Sequence, residues 1–227
     1  MIRMNKLLAL LATFALLIAA KPLPALIGGV MATPTTYVVT VTKIEFQKTD
    51  GSFVTFASGS SAFDIASVAA GQAAGTLAQG QSLEAGSYTG IRITFSRTFG
   101  MTGAVADAGG GQPARTQTGN AATQTAPPDF TSIGISTTDG AAGTLQQIPV
   151  PFGTAVTAAL TAEGIEEVGL TELRTTYAHV FTVTPDQTVP PPVRVDFDVT
   201  GGIEFLTTGV GTAIVIPTPP SVNVTVG

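Results

Sequence analysis

The chain contains no cysteine and no tryptophan, and His179 is its one histidine. Without thiols there is no disulfide framework, thiolate nucleophile, iron–sulfur cluster or cysteine-based zinc site. One imidazole cannot build a histidine-rich metal centre. Charge is scarce as well: Asp, Glu, Lys and Arg make up 11% of the 227 residues, where an average soluble domain carries about 25%. A long solvated coiled coil, which needs many Glu and Lys at heptad spacing, is thereby excluded. What the chain has in quantity is glycine (26), proline (15) and a visible excess of threonine and valine.

The N-terminus has the layout of a secretory signal. Arg3 and Lys6 precede a largely apolar run of 14 residues, Leu7 to Ala20, short for a membrane span. Residues 1–32 are read as the signal peptide, because Val30-Met31-Ala32 has the better small-x-small pattern; cleavage after Ala20, nearer the apolar run, also fits. A retained anchor, lengthened past Lys21 by Leu23 to Met31, is the competing reading. Export places residues 33–227 outside the cell or on its surface, with no stable membrane span left once the signal is gone. It also removes three bases and no acid, leaving 7 basic and 15 acidic side chains and a net charge of −8 instead of −5. An acidic, sparsely charged surface does not seek nucleic acid, whose phosphates are bound by Lys and Arg. An anionic membrane is an equally poor partner. In an exported chain without disulfides, stability has to come from burial and strand pairing.

The dominant pattern is alternation, the period-two mark of strands with one buried face. Val193, Val195, Phe197 and Val199 share one face, with Arg194, Asp196 and Asp198 on the other. Ile91 to Phe95 repeats the pattern, and Leu173 to Thr184 places Tyr177, His179, Phe181 and Val183 together. In Tyr37 to Lys48 the apolar positions are 37, 39 and 41, then 44 and 46, so the parity switches near Thr42. A β-bulge, or a strand passing from one sheet to the other, produces such a switch. Residues 212–216 are apolar on both faces, as in a central strand. Helix signals are weak: Thr161 to Leu173 is the best, with Gly164 and Gly169 inside it, and a turn of helix at Phe63 to Ala69 is a lesser one. The expected fold is all-β, an antiparallel β-sandwich of immunoglobulin-like or prealbumin-like form, in one large domain. Residues 100–130 are small, polar and breaker-rich, and read as a long Gly/Ala/Thr-rich loop inside that domain.

Few residues carry chemistry. His179 falls on the apolar face and reads as a half-buried core histidine satisfied by a hydrogen bond. No Gly-x-Ser-x-Gly elbow is present, and Ser58-Gly59-Ser60-Ser61 reads as a turn. Asp196 and Asp198 share an outward strand face about 7 Å apart; a solvated face is the plainer reading, with calcium as the weak alternative because oxygen ligands suit it. No cofactor is implied, and Glu166 and Glu167 are adjacent and diverge. Asn223-Val224-Thr225 is a glycosylation triplet, a weak signal by itself. Sugar-binding modules stack rings on exposed aromatics, and three tyrosines without tryptophan make a poor platform.

Leu83-Glu-Ala-Gly86-Ser-Tyr88-Thr-Gly-Ile91-Arg-Ile93, with the strand Val38 to Phe46 and the Phe63-Asp64-Ile65 segment before it, resembles prealbumin-like (transthyretin-like) β-sandwich domains of exported prokaryotic proteins. The resemblance covers residues 35–97. It implies a sandwich fold, a turn at Gly86 and a corner at Tyr88. It implies no catalytic site, since the function of these domains is largely uncharacterised.

These features point to a non-catalytic secreted structural protein that self-assembles into a filament, pilus or surface matrix. Its partner is another copy of the same chain. The last strand, with Val222, Val224 and Val226 on one face, follows Pro217-Thr218-Pro219-Pro220, and residues 221–227 are expected to be exchangeable between copies. The first strand follows Thr33-Pro34-Thr35-Thr36 in a similar way. Strand donation supplies main-chain hydrogen bonds, and a head-to-tail contact of this kind grows open-ended filaments. The alternative is a monomeric surface adhesion or carbohydrate-binding module that meets cell-surface glycans through the long loop.

Overall fold

The computed structural model describes residues 29–67, 83–118, 133–136, 141–185, 193–209, 211–218 and 221–226. Within them the chain forms β1 (Val30–Ala32), β2 (Thr36–Lys48), β3 (Phe53–Asp64), β4 (Gly86–Ser96), β5 (Thr98–Thr102), β6 (Ala104–Val105), β7 (Ala114–Arg115), β8 (Ile133–Ser136), β9 (Gln146–Pro149), α1 (Thr154–Ala162), β10 (Ile165–Val168), β11 (Glu172–Val183), β12 (Val193–Asp198), β13 (Ile203–Gly209), β14 (Thr212–Pro217) and β15 (Ser221–Val226). The fold is all-β and antiparallel, a sandwich with one short helix, as the alternation of Val and Thr positions requires.

The seven-stranded sheet is organised by β2. β4 and β5 follow one another along one edge of β2, and β3 runs along the other. β11 and then β10 continue the sheet beyond β4, while β9 pairs β5. The six-stranded sheet has the order β1-β13-β14-β8-β7-β6. The chain passes between the sheets at Thr33 to Thr35 and again at Gly103. A Cβ on Gly103 would stand 3.2 Å from Ile203 Cγ2, which shows how closely the crossing lies on the core.

The parity switch in β2 is a bulge. Against β4 its register slips between Val41 and Lys43, so Thr42 is the extra residue that returns Ile44 and Phe46 to the inner face, whereas against β3 the extra residue lies on β3, between Ser58 and Ser61. One contiguous core results. Tyr37, Val39, Phe99, Met101 and Ile148 of the first sheet are buried in the same cluster as Ile203, Phe205, Ala213 and Val215 of the second. Towards the other end of the first sheet, Phe46 packs edge-on against Phe56 (5.2 Å), Phe181 (5.4 Å) and Tyr88 (6.0 Å). Aromatic pairs at these separations contribute about 0.5–1.5 kcal/mol each beyond area burial.

Several local expectations are corrected. Thr161 to Leu173 is not a helix: the helix ends at Ala162, and the rest is the β10–β11 hairpin. Gly164 (φ 71°) and Gly169 (φ 61°) supply the left-handed backbone that stops the helix and turns the hairpin. Phe63 and Asp64 end β3 instead of starting a helical turn, and Ser58 to Ser61 lie within β3 beside a register slip. The expected loop at 100–130 is ordered structure as far as residue 118, and residues 119–130 lie outside the described region. Met101, Ala108 and Thr116 are completely buried. Thr116 accepts the Gly103 N–H (3.1 Å) and donates to the Thr144 carbonyl (2.7 Å). Small residues here mark tight packing.

Val30 to Ala32, placed within the signal sequence by the reading of residues 1–32, pair with Ile203 to Phe205 as β1. The Gly29 amide donates to Glu204 Oε1 at 2.6 Å, and Glu204 is fully buried. Cleavage after Ala20 preserves this strand, and cleavage after Ala32 removes it.

Candidate functional site

The last third of the chain forms a long ribbon. β13 and β14 pair from Ile203↔Pro217 to Gly209↔Thr212, and the Thr218 amide continues the ladder to the Gly202 carbonyl at 2.9 Å. After a corner the same two chain segments pair again as β12 and β15, from Asp198↔Ser221 to Val193↔Val226. One half of the ribbon belongs to the six-stranded sheet. The other is a two-stranded sheet of its own, lying near β11 with no ladder between them.

The corner is pinned from the core. The Tyr37 hydroxyl, fully buried, donates to the Thr218 carbonyl at 2.9 Å. Burial pushes this phenol well above its ordinary range, so it acts as a fixed donor. Gly202 lies against the Tyr37 ring, where a Cβ would come within 3.0 Å of Cε2. Asp198 accepts the Thr200 amide at 2.9 Å and so shapes the turn.

The sequence-predicted residues fall as follows. β12 and β15 set Asp196 opposite Asn223 and Asp198 opposite Ser221. The side chains of Asp196, Val222, Asn223, Val224 and Val226 lie outside the described region. Asp198 is exposed and engaged in the turn; among the described residues no three His, Asp or Glu gather as metal ligands. His179 is half-buried, with its ring 6.3 Å from Phe181. Tyr177, two residues away, is held protonated near neutral pH, its phenol pushed up to about 12 chiefly by burial. The first strand of the main sheet is not a separable terminal strand, since β2 pairs with β3, β4 and β5. β15 pairs within its own chain, on β12.

Two ionic clusters escaped the sequence reading. Arg97 sits between β4 and β5, fully buried, where the partner along that edge changes from β11 to β9. Its Nε donates to the Val150 carbonyl and its Nη2 to the Pro151 carbonyl, both at 2.7 Å. Nη1 lies 2.7 Å from Glu167, and the guanidinium stacks 3.6 Å over the Phe152 ring. Burial pulls Arg97 down and the Glu167 carboxylate opposes it. Burial pushes Glu167 up, but the Thr157 hydroxyl and Arg97 outweigh it, so the carboxyl titrates below its usual range. The second cluster is on the opposite face of the same sheet. Glu45 is almost fully buried between Lys43 and Arg92, each at 2.7 Å, and Arg92 lies 3.4 Å over Phe53. Burial raises its pKa, and the two cations lower it further than burial raises it.

Each cluster is ion-paired internally, Arg97 with Glu167 and Glu45 with Lys43 and Arg92. Their geometry suits fastening strands. Tyr88 is a corner as well, its hydroxyl donating to the Glu84 carbonyl at 2.9 Å. A parity signal could have found Arg97: Ile91, Ile93, Phe95, Phe99 and Met101 all point inward, and Arg97 occupies the same parity. No protein-family model, curated protein or solved structure matches this chain. Among the described residues, no helix is long and apolar enough to cross a membrane.

Proposed function

We propose that the protein is a non-catalytic, exported structural subunit that self-associates through its C-terminal ribbon into an extracellular filament or surface matrix. The observation that carries this reading is the isolation of β12 and β15. Among the described residues they pair only with each other, so each keeps one main-chain edge outside any ladder. A two-stranded sheet alone is marginal in water, and a third strand from another copy stabilises it. The apolar, basic-tipped N-terminus supports export, and the resemblance of residues 35–97 to prealbumin-like domains of exported proteins supports the same location. The exposed large apolar side chains in the described region are Val30, Leu145, Leu170 and Val180, with no aromatic among them. That favours strand pairing over glycan stacking.

The test is negative-stain microscopy and sedimentation of the secreted protein, with and without residues 219–227. Filaments or oligomers from the full chain, lost on truncation, support the reading. Unchanged assembly without β15 overturns it.

A further inference from the structure

Sheets are protected from adventitious pairing by short edge strands, charges, prolines or bulges. Four edges of this protein follow that rule. β10 has four residues and contains Glu166 and Glu167, β9 ends in Pro149, β1 has three residues and β6 has two. β3 departs from it. It is twelve residues long, and among the described residues it pairs only with β2. It contains no proline, no base and one acid, Asp64 at its end. That carboxylate is already held by the Tyr37 amide (3.0 Å) and the Ala66 amide (3.2 Å). Register slips near Ser58 to Ser61 and at Phe56 are its main protection, and they leave regular pairing on either side.

The same rule separates the two edges of the ribbon. β12 carries Arg194, Asp196 and Asp198, whereas β15 (SVNVTV) has no charge at all. We infer that β15 of one copy pairs along the outer edge of β3 of the next, so that the seven-stranded sheet continues into the neighbour's ribbon. This rests on the assembly reading above and names its acceptor. Neither edge brings a free charge to desolvate, and β15 alternates valine with small polar residues, so a ladder costs little beyond ordering. The contact is head-to-tail. Among the described residues β3 and β15 each have one edge outside any ladder, so a copy can donate at one and accept at the other, as open-ended growth requires.

The absence of cysteine makes the test clean. Asn223→Cys is placed in one batch of protein, and Thr55→Cys, Ser58→Cys or Ala62→Cys, all exposed positions of β3, in another. The batches are mixed under oxidised glutathione and resolved by mass. Thr161→Cys, exposed on α1, is the control. The expected result is a mixed disulfide between Asn223→Cys and at least one β3 position, about tenfold above the control, since paired strands bring Cβ atoms within about 4.5–5.5 Å. A second variant, Ser60→Lys, puts a charge on the edge and is expected to weaken assembly about tenfold without lowering the melting temperature. Oligomers that link Asn223→Cys to β3 no better than to α1, or β3 chiefly to β3, overturn this acceptor and leave the assembly reading standing. A full-length chain that is monomeric at every concentration overturns both.

Discussion

Replacing Arg97 by methionine tests the account of what joins the two halves of the main sheet. The substitution keeps most of the apolar stem and removes the guanidinium. The Val150 and Pro151 carbonyls each lose a donor at 2.7 Å, and Glu167 loses its cation at 2.7 Å. Hydrogen bonds from a charged donor contribute about 1.5–3 kcal/mol each, and breaking a buried pair by removing one partner costs about 3–5 kcal/mol. Thr157 still donates to Glu167, and the carboxylate is 23% exposed, which places the expected loss near the lower figure, about 3 kcal/mol. In a domain of this size that corresponds to a drop of about 6–12 °C in melting temperature. Urea unfolding at pH 7 reads the loss directly. The pH dependence supplies a second reading. Because Glu167 titrates below its usual range in the folded protein, its contribution is present above the unfolded pKa and lost as pH falls through the folded one. In Arg97→Met that acid-side loss shrinks, and the gap between the wild-type and variant stability curves narrows as pH falls through the folded value, down to the part carried by the two carbonyl hydrogen bonds. A loss under about 1 kcal/mol at pH 7, or parallel curves through the acid range, would refute the idea that the guanidinium fastens this junction.

Tyr37→Phe removes the hydroxyl that holds Thr218 and should cost about 1–2 kcal/mol in urea unfolding, with the core otherwise intact. Gly202→Ala drives a methyl to 2.8 Å from the Val199 carbonyl and 3.0 Å from the Tyr37 ring, and should cost about 1–3 kcal/mol. A chain starting at Thr33 lacks β1 and the Gly29 amide on Glu204, and should be less stable by about 2–4 kcal/mol than one starting at Lys21, measured by thermal unfolding. Glu45→Gln should flatten the acid limb of the stability curve, because the native carboxyl titrates below its usual range and its contribution disappears as pH falls through that folded value.

The strands were legible because a half-buried sheet writes its faces into the chain at period two, and Thr42 shows how finely. An extra residue in β2 appears in the sequence itself as a change of parity. The same rule held past Phe95 and was hidden by composition. Phe99 and Met101 continue the inward row, but the glycines and alanines after them resemble a loop, since small residues signal both flexibility and close packing. Ala108, Ala114 and Thr116 are the packed kind. Gly164 and Gly169 were visible as helix breakers, yet the hairpin they create depends on β11 having β4 to lie against. β1 was obscured because its three apolar residues continue the apolar N-terminus. The ribbon was not legible at all as one object. Its two strands are separated in sequence by the very hairpin that joins them, and alternation fixes faces without naming partners.

That continuity decides how the protein meets mechanical force. Tension on the C-terminus opens the β12–β15 ladder from Val226 inward, one pair at a time, because the outermost pair is Val193 with Val226. Peeling of this kind yields at low load. It halts at the corner, where Thr218 is tied to Tyr37 inside the core and further opening has to disrupt both sheets. Under a pull on Val226 the terminal ladder is therefore expected to yield before the body of the protein does.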